Sequence, residues 1–435
     1  MRNPPPDVPV TDLPGENPHY LRAIADLGEQ QEIVVHSDIF AANGMKLLAK
    51  GARVNQSQFE RLVQHKLSVS IDWSLSLESA VDGKELSREA SKILSRDIVL
   101  DQLLNRGGDA RSVRHELSIL KLPSLLETRL TVMRGTRPEL FYHSLNTALI
   151  AFALAQLLKM PASVLPEVLL AALCHDMGEL HTDPAILLAE HIITPEERRF
   201  VYVHPITGFV LLKEMKELPA SVGKAVLQHH ERLDGSGYPY HLKASQITQL
   251  SKILAVAEVV GAVIDRFEPS RIDMLLRASR VRFDPVIVNA LRNLLRVPNP
   301  VTKHVFSGID ITTELGNLDS IFQGWRTLKP VLVSQTAPVN APDSPMTFLF
   351  ERMNGIGGLI LQAGFDPEDV QGMMEIAGDD EHILEELRDI IGEIDWLLRD
   401  LANEIDRRAP PLNEKTNQML SQWVILLRSQ RLKSN

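Results

Sequence analysis

The chain has 435 residues, 44% of them hydrophobic and 23% charged, with a net charge of −10. That length exceeds one compact core and implies two or three domains, while the acidic balance argues against a general binder of nucleic-acid polymers, which needs a basic footprint. The one cysteine, Cys174, excludes an internal disulfide and fits a reducing compartment. The scarcity of aromatics, at 5%, beside abundant Leu, Ile, Val and Ala favours packed helices over a sheet sandwich.

Residues 1–20 hold six prolines, and 1–30 read as a flexible leader without the apolar core of a secretory signal. EIVVHSDIF and MKLLAKG flank AANG, a hairpin signal. Asn55 with Gln58 caps a short helix, QSQFERLVQHK, and VSIDWSL offers another strand, so 31–80 read as a small α+β module. A helical connector follows over 83–137, broken at Gly107-Gly108. Pro138 opens ELFYHSLNTALIAFALAQLLKM at a first helical position. Its apolar run Thr147–Leu158 is too short to span a bilayer and reads as a buried core helix.

Further helices follow in quick succession. Ser163 starts VLPEVLLAALCHDM, Thr194-Pro195-Glu196-Glu197 is a capping box, and PASVGKAVLQHH runs into the turn LDGSGYP. LSKILAVAEVVGAVIDRF and FDPVIVNALRNLL close a domain over 138–297. A loose connector is expected over 298–343 and a helical region over 344–435. In the latter, Ile383, Leu387, Ile390, Ile394, Leu397 and Leu401 form a coiled-coil or bundle seam, open to packing within its own domain or to homodimerisation. The expected class is mainly α: an antiparallel helical bundle with a small α+β N-terminal module, in a cytoplasmic protein without a membrane segment.

Eight of the fourteen histidines lie between 143 and 241. His143, His175, His204 and the pair His229-His230 recur about one helix and connection apart, a repeat that lets an antiparallel bundle deliver one ligand per helix to a common point. Asp176 and Glu258 join the series. Neutral imidazoles with one or two carboxylates suit Mn, Fe, Zn or similar ions, and a carboxylate can bridge two metals. His19, His36, His65, His115, His304 and His382 read as ordinary surface or core residues, and His181, His191, His241 and Cys174 as the same.

His175-Asp176, followed by HPITG (204–208) and HHERLDGSGYP (229–239), resembles the HD-GYP family of metal-dependent phosphohydrolases, over about 139–297. The resemblance implies an HD-type helical bundle that uses two divalent transition-metal ions, Fe or Mn, to hydrolyse cyclic di-GMP to linear pGpG or GMP through a metal-activated hydroxide. It implies that His143, His175, Asp176 and Glu258 hold one ion, and that Asp176 bridges to a second held by His204, His229 and His230. His175 and Asp176 would be the catalytic pair. Glu139, one turn before His143, is either a ligand for a third ion or a surface residue at a helix start.

Asp234, Gly235, Gly237, Tyr238 and Pro239 would shape a pocket rim, with Gly235 and Gly237 supplying positive φ, and would meet substrate or a protein partner; the other reading is an ordinary surface turn. The departures fall on substrate contacts and on the last metal-ligand positions. Glu179 stands where the family has a lysine, Glu258 replaces an aspartate, and Gly261 stands at a second aspartate. VIDRFEPSR matches the family's basic segment poorly, leaving Arg266, Arg271 and Lys243 as substitutes. Three alternatives to the active phosphodiesterase therefore stand: a degenerate signalling or nucleotide-binding module, a phosphohydrolase for another nucleotide, or a helical scaffold.

Overall fold

A computed structural model describes residues 17–77, 79–107, 110–187, 191, 194–264, 282–295, 311–335, 346–362 and 381–429. They are mainly α-helical, in two compact units, one holding residues 1–265 and 282–294 and the other 266–281 and 295–435.

The first unit opens with a helix, α1 (Pro18–Gln30), where a leader was expected. Asn17 explains it: its side chain accepts from the amides of His19 and Tyr20, with Pro18 at the first helical position, where a missing N–H costs nothing. Tyr20, Leu21, Ile24, Ala25 and Leu27 form the buried face, against α2 (Gln56–Val63) and α6 (Ser124–Thr136). Proline counting missed this spacing. Between α1 and α6 lie two small antiparallel ladders. β1 (Ile33–Val35) pairs with β4 (Leu75–Leu77), and β2 (Ile39–Phe40) pairs with β3 (Lys46–Leu48) across the AANG turn, where Gly44 has φ +84°. Only the end of VSIDWSL is strand, because Ile71–Ser74 form a 3-10 turn.

That turn carries Asp72, which ties the unit together. Tyr20 donates to its Oδ1 at 2.6 Å and Arg129 of α6 to its Oδ2 at 2.7 Å. The Arg129 side chain is 1% exposed and that of Asp72 0%, so each charge depends on the other for its solvation.

Helices α3 (Gly83–Arg96), α4 (Ile98–Gly107) and α5 (Ala110–Ile119) lead to α7 (Pro138–Leu157), the central rod. At 20 residues, α7 is longer than its apolar run suggests, and by length and composition it could cross a membrane. Its apolar faces are instead buried against α4, α6, α8 (Leu165–Cys174) and α12 (Gln249–Ile264). Along the chain follow α9 (Pro195–Tyr202), α10 (His204–Lys213), α11 (Ala220–Gln228) and α13 (Pro285–Leu295), with α10 packed on α11 and α11 on α8 and α12. Thr194 and Glu197 make the expected capping box on α9.

The second unit corrects the loose connector: Ile311–Gln335 is one 25-residue helix despite Pro330. Its apolar positions Leu315, Leu318, Phe322, Trp325 and Leu332 enter a core with helices Thr347–Gln362, Glu381–Arg408 and Glu414–Ser429. At the described seam positions, Ile394, Leu397 and Leu401 are buried in that core. The seam there packs within its own unit.

Arg129→Met leaves Asp72 buried and unpaired, and we expect it to lower the unfolding free energy by about 3–5 kcal/mol in urea melts. The double substitution Arg129→Met, Asp72→Leu should recover part of that loss; a double variant no more stable than the single one would contradict the assignment.

Candidate metal centre

Five elements deliver the site. His143 lies on α7, His175 caps the C-terminus of α8 with Asp176 next, and His204 is the first residue of α10. His229 caps α11 with His230 next, and Glu258 lies on α12. Three imidazoles are oriented by one device. His175 Nδ1 donates to Ala172 O at 2.7 Å, His204 to Val201 O at 2.6 Å and His229 to Val226 O at 2.6 Å. Each ring thereby commits its Nδ1 proton to a carbonyl three residues earlier, leaving Nε2, the nitrogen that ligates metal once deprotonated, pointing inward.

Asp176 lies between two sets of these nitrogens. Its Oδ2 is 3.0 Å from His175 Nε2 and 3.6 Å from His143 Nε2. Its Oδ1 is 3.2 Å from His204 Nε2 and 3.4 Å from His229 Nε2. Ligand atoms of Asp176, His204, His229 and His230 lie within 4.8 Å of one another, as do those of His143, His175 and Asp176. The expected convergence is therefore present, with one carboxylate common to both groups.

The arrangement is short of protons. His175 and His143 face each other Nε2 to Nε2 at 3.3 Å, and His204 and His229 at 3.1 Å. Asp176 Oδ1 is buried without a hydrogen-bond donor. With the Nδ1 protons committed to carbonyls, the Nε2 atoms converge on a carboxylate, and divalent cations satisfy such a donor set by replacing any proton held there. The residues fit a metal centre.

The close approach of the Asp176 turn to α10 depends on Gly178. A Cβ there would stand 2.1 Å from His204 O and 2.9 Å from Gly208 N, so only glycine lets the 3-10 turn Met177–His181 lie flat on the helix carrying His204.

Electrostatics follow from burial around one anion. Burial alone would raise the Asp176 carboxyl, but the His175 charge and the imidazole contacts hold it well below the usual range. Burial disfavours the His175 cation, yet Asp176 outweighs it and lifts the group to about 9. Burial and the neighbouring imidazoles, against the pull of Asp176, lower His229 to about 4. Burial and the Asp176 charge push Glu258 and Glu179 up to about 7.

Glu258 falls outside both ligand groups. Its Oε1 is 3.6 Å from His230 Nδ1 and its Oε2 is buried without a donor. This departs from the expected grouping with His143 and His175: α12 packs against both α7 and α11, and the glutamate arm ends beside His230. Glu139 is not brought to the centre; its side chain is 66% exposed and pairs with Arg137 at 2.7 Å. Gly261 faces Thr147 of α7. Glu179 lies beside the centre, 3.8 Å from the Arg137 guanidinium. Arg137 went unnoticed in the sequence because no spacing pattern leads to it.

The turn after His230 is a built rim. Gly235 has φ +81°, as expected, whereas Gly237 serves by close approach: a Cβ there would stand 2.4 Å from Arg232 N, Glu231 Cα and His230 O. Asp234 accepts from Ser236 N at 2.9 Å and bridges to Lys243, an exposed residue. Tyr238 stacks on the His230 ring at 4.5 Å, with Pro239 following through a cis peptide bond. The residues that hold the turn had no assigned role in the sequence reading. Buried Glu231 accepts from Tyr240 and Leu242 amides at 2.7 and 2.8 Å, and Arg232 donates to His229 O at 2.9 Å. Arg282 donates to Ser236 Oγ at 3.1 Å from 46 positions away, a distance without sequence signal. Arg266 and Arg271 lie outside the described residues.

Two outcomes test this centre. Binding of Mn(II) must displace the proton of His175, whose pKa is raised, so affinity should rise about tenfold per pH unit as pH increases toward 9, measured by competition with a chelator. Gly178→Ala should lower Mn(II) affinity about 10–100-fold with the helical circular dichroism unchanged; undiminished affinity would contradict the role given to the turn.

Comparison with known proteins agrees with this geometry. Residues 125–287 match the HD domain family. A cyclic di-GMP phosphodiesterase of Pseudomonas aeruginosa is 33% identical over 146 residues, 34% of this chain and 35% of that protein. A 3′3′-cGAMP-specific phosphodiesterase of Vibrio cholerae is 29% identical over 153 residues, 34% of each chain. The matched segments thus span about a third of these relatives. Among solved structures, an HDG"Y"P protein from Bdellovibrio bacteriovorus is 16% identical, covering 60% of this chain and 95% of that one with a TM-score of 0.34. The histidine–aspartate pair and every gathered imidazole lie inside residues 125–287, the segment that matches the HD domain family.

Proposed function

We propose that the chain is a metal-dependent phosphodiesterase of the HD-GYP type acting on cyclic di-GMP. The observation that carries this is the Asp176 carboxylate shared between His143 and His175 on one side and His204 and His229 on the other, at 3.0–3.6 Å. Two divalent transition-metal ions, Fe or Mn, would be held by His143, His175 and Asp176 and by Asp176, His204, His229 and His230. When bound, they supply an acidified water as nucleophile and offset charge on phosphate oxygens.

The chain's own residues do the positioning. The carbonyls of Ala172, Val201 and Val226 fix three imidazole tautomers, and Tyr238 stacks on His230 to hold its plane. Glu258, raised to about 7 and beside His230, is a group able to exchange a proton near neutrality. Cys174 is buried and its thiol is pushed up to about 12, so it stays protonated and takes no part. The reduced cysteine suits the cytoplasm.

A second reading, a nucleotide-binding module without turnover, is favoured by one set of contacts. Arg137 is a cation beside the centre, and Glu139 at 2.7 Å and Glu179 at 3.8 Å offset its charge, weakening its attraction for a phosphate.

Protein reconstituted with Mn(II) or Fe(II) under reducing conditions should convert cyclic di-GMP to linear dinucleotide, and Asp176→Ala should reduce this by at least about a hundredfold, a loss near 2.7 kcal/mol. Metal bound without turnover would select the second reading. Glu179→Gln removes one of the two anions beside Arg137, which keeps its 2.7 Å pair with Glu139, and should lower KM for the anionic substrate about 3-fold, about 0.7 kcal/mol, with kcat little changed. An unchanged KM would remove Arg137 from substrate binding.

A further inference from the structure

The 3-10 turn Met177–His181 begins directly after Asp176 and is held at both ends. Near its start, Gly178 lies against His204 O and Gly208 N of α10. At its end, two residues of the N-terminal segment take hold. Asn17 Nδ2 donates to His181 O at 2.8 Å, across 164 positions of sequence. The Tyr20 ring stacks on the His181 ring, with centroids 4.9 Å apart and planes 17° from parallel. Both residues lie outside the segment 125–287 that matches the HD domain family.

The hold comes from a fixed support. The Asn17 side chain also accepts from the amides of His19 and Tyr20, so its oxygen caps α1 while its nitrogen holds the turn. Tyr20 is fully buried and donates to Asp72, and the buried face of α1 packs on α2 and α6. The turn itself is the softer partner. It has five residues, and the hydrogen-bond geometry of a 3-10 turn is poorer than that of an α-helix. What fixes its far end therefore helps to fix where Asp176 stands at its start.

We propose that Asn17 and Tyr20 are positioning residues for Asp176, so that the N-terminal segment completes the support of the metal centre. This rests on the metal reading given above. One carboxylate shared among four imidazole nitrogens at 3.0–3.6 Å has little room to move, and groups that orient metal ligands are worth about 10–100-fold in affinity. Asn17 acts through its N–H and Tyr20 through its ring, whereas the Asn17 oxygen and the Tyr20 hydroxyl serve the fold. The two roles can be removed separately.

The test uses the full-length protein, with Mn(II) affinity measured by chelator competition and the melting temperature measured without metal. Asn17→Asp keeps an oxygen to cap α1, with a charge suited to a helix N-terminus, but has no N–H for His181 O. It should melt as the wild type does and bind Mn(II) about 10-fold more weakly. Tyr20→Phe keeps the ring over His181 and loses the hydroxyl on Asp72. It should melt at a lower temperature and bind Mn(II) with wild-type affinity. Should Asn17→Asp also melt lower, the comparison still decides: affinity lost in Asn17→Asp alone supports positioning, and affinity lost equally in both variants overturns it, because binding then merely follows stability. Wild-type affinity in Asn17→Asp would overturn this proposal alone. A wild-type protein that takes up no Mn(II) would overturn the metal reading and the proposal with it.

Discussion

One buried carboxylate organises the histidine cluster of this protein. Asp176 is an anion nearly enclosed by protein, and a charge in that position persists only with compensating partners. Imidazoles on four separate helices or helix ends provide them. Each contributes because its helix is held by apolar packing that has nothing to do with the site: α7 against α8 and α12, α10 against α11. The bundle core thus sets the distances, and the inward Nε2 atoms convert those distances into a donor set for metal.

A second tier of interactions keeps that set rigid. Three histidines are oriented by the carbonyl three residues upstream, a device available only at a helix end or first turn. Gly178 lets the aspartate turn lie flat on α10, and the Glu231–Arg232–Arg282 contacts fold the LDGSGYP turn back so that Tyr238 covers His230. Sites built this way lose function through small displacements, since metal donors tolerate little change in distance. Beside the centre, the Arg137 guanidinium is shared between Glu139 and Glu179.

The N-terminal segment is part of the same compact unit as the HD domain rather than a loose appendage. Asp72, held by Tyr20 and Arg129, fastens it.

Much of the site was legible in the residues. Histidines recurring at helix-length intervals, the His175-Asp176 pair and the glycine-rich turn fixed which side chains would meet, because ligands and tight turns demand particular residue types at particular spacings. The mainly helical class followed from composition and apolar periodicity. What spacing alone did not reveal was cap-driven structure in proline-rich sequence, as at Asn17-Pro18, and a 25-residue helix that runs through Pro330. Nor did it reveal which neighbour a long arm reaches: Glu258 ends at His230, Glu139 turns outward to Arg137, and Arg282 closes a loop 46 residues earlier. Those outcomes depend on how helices cross and how far flexible side chains extend, which are properties of packing in three dimensions, whereas local residue chemistry is written directly along the chain.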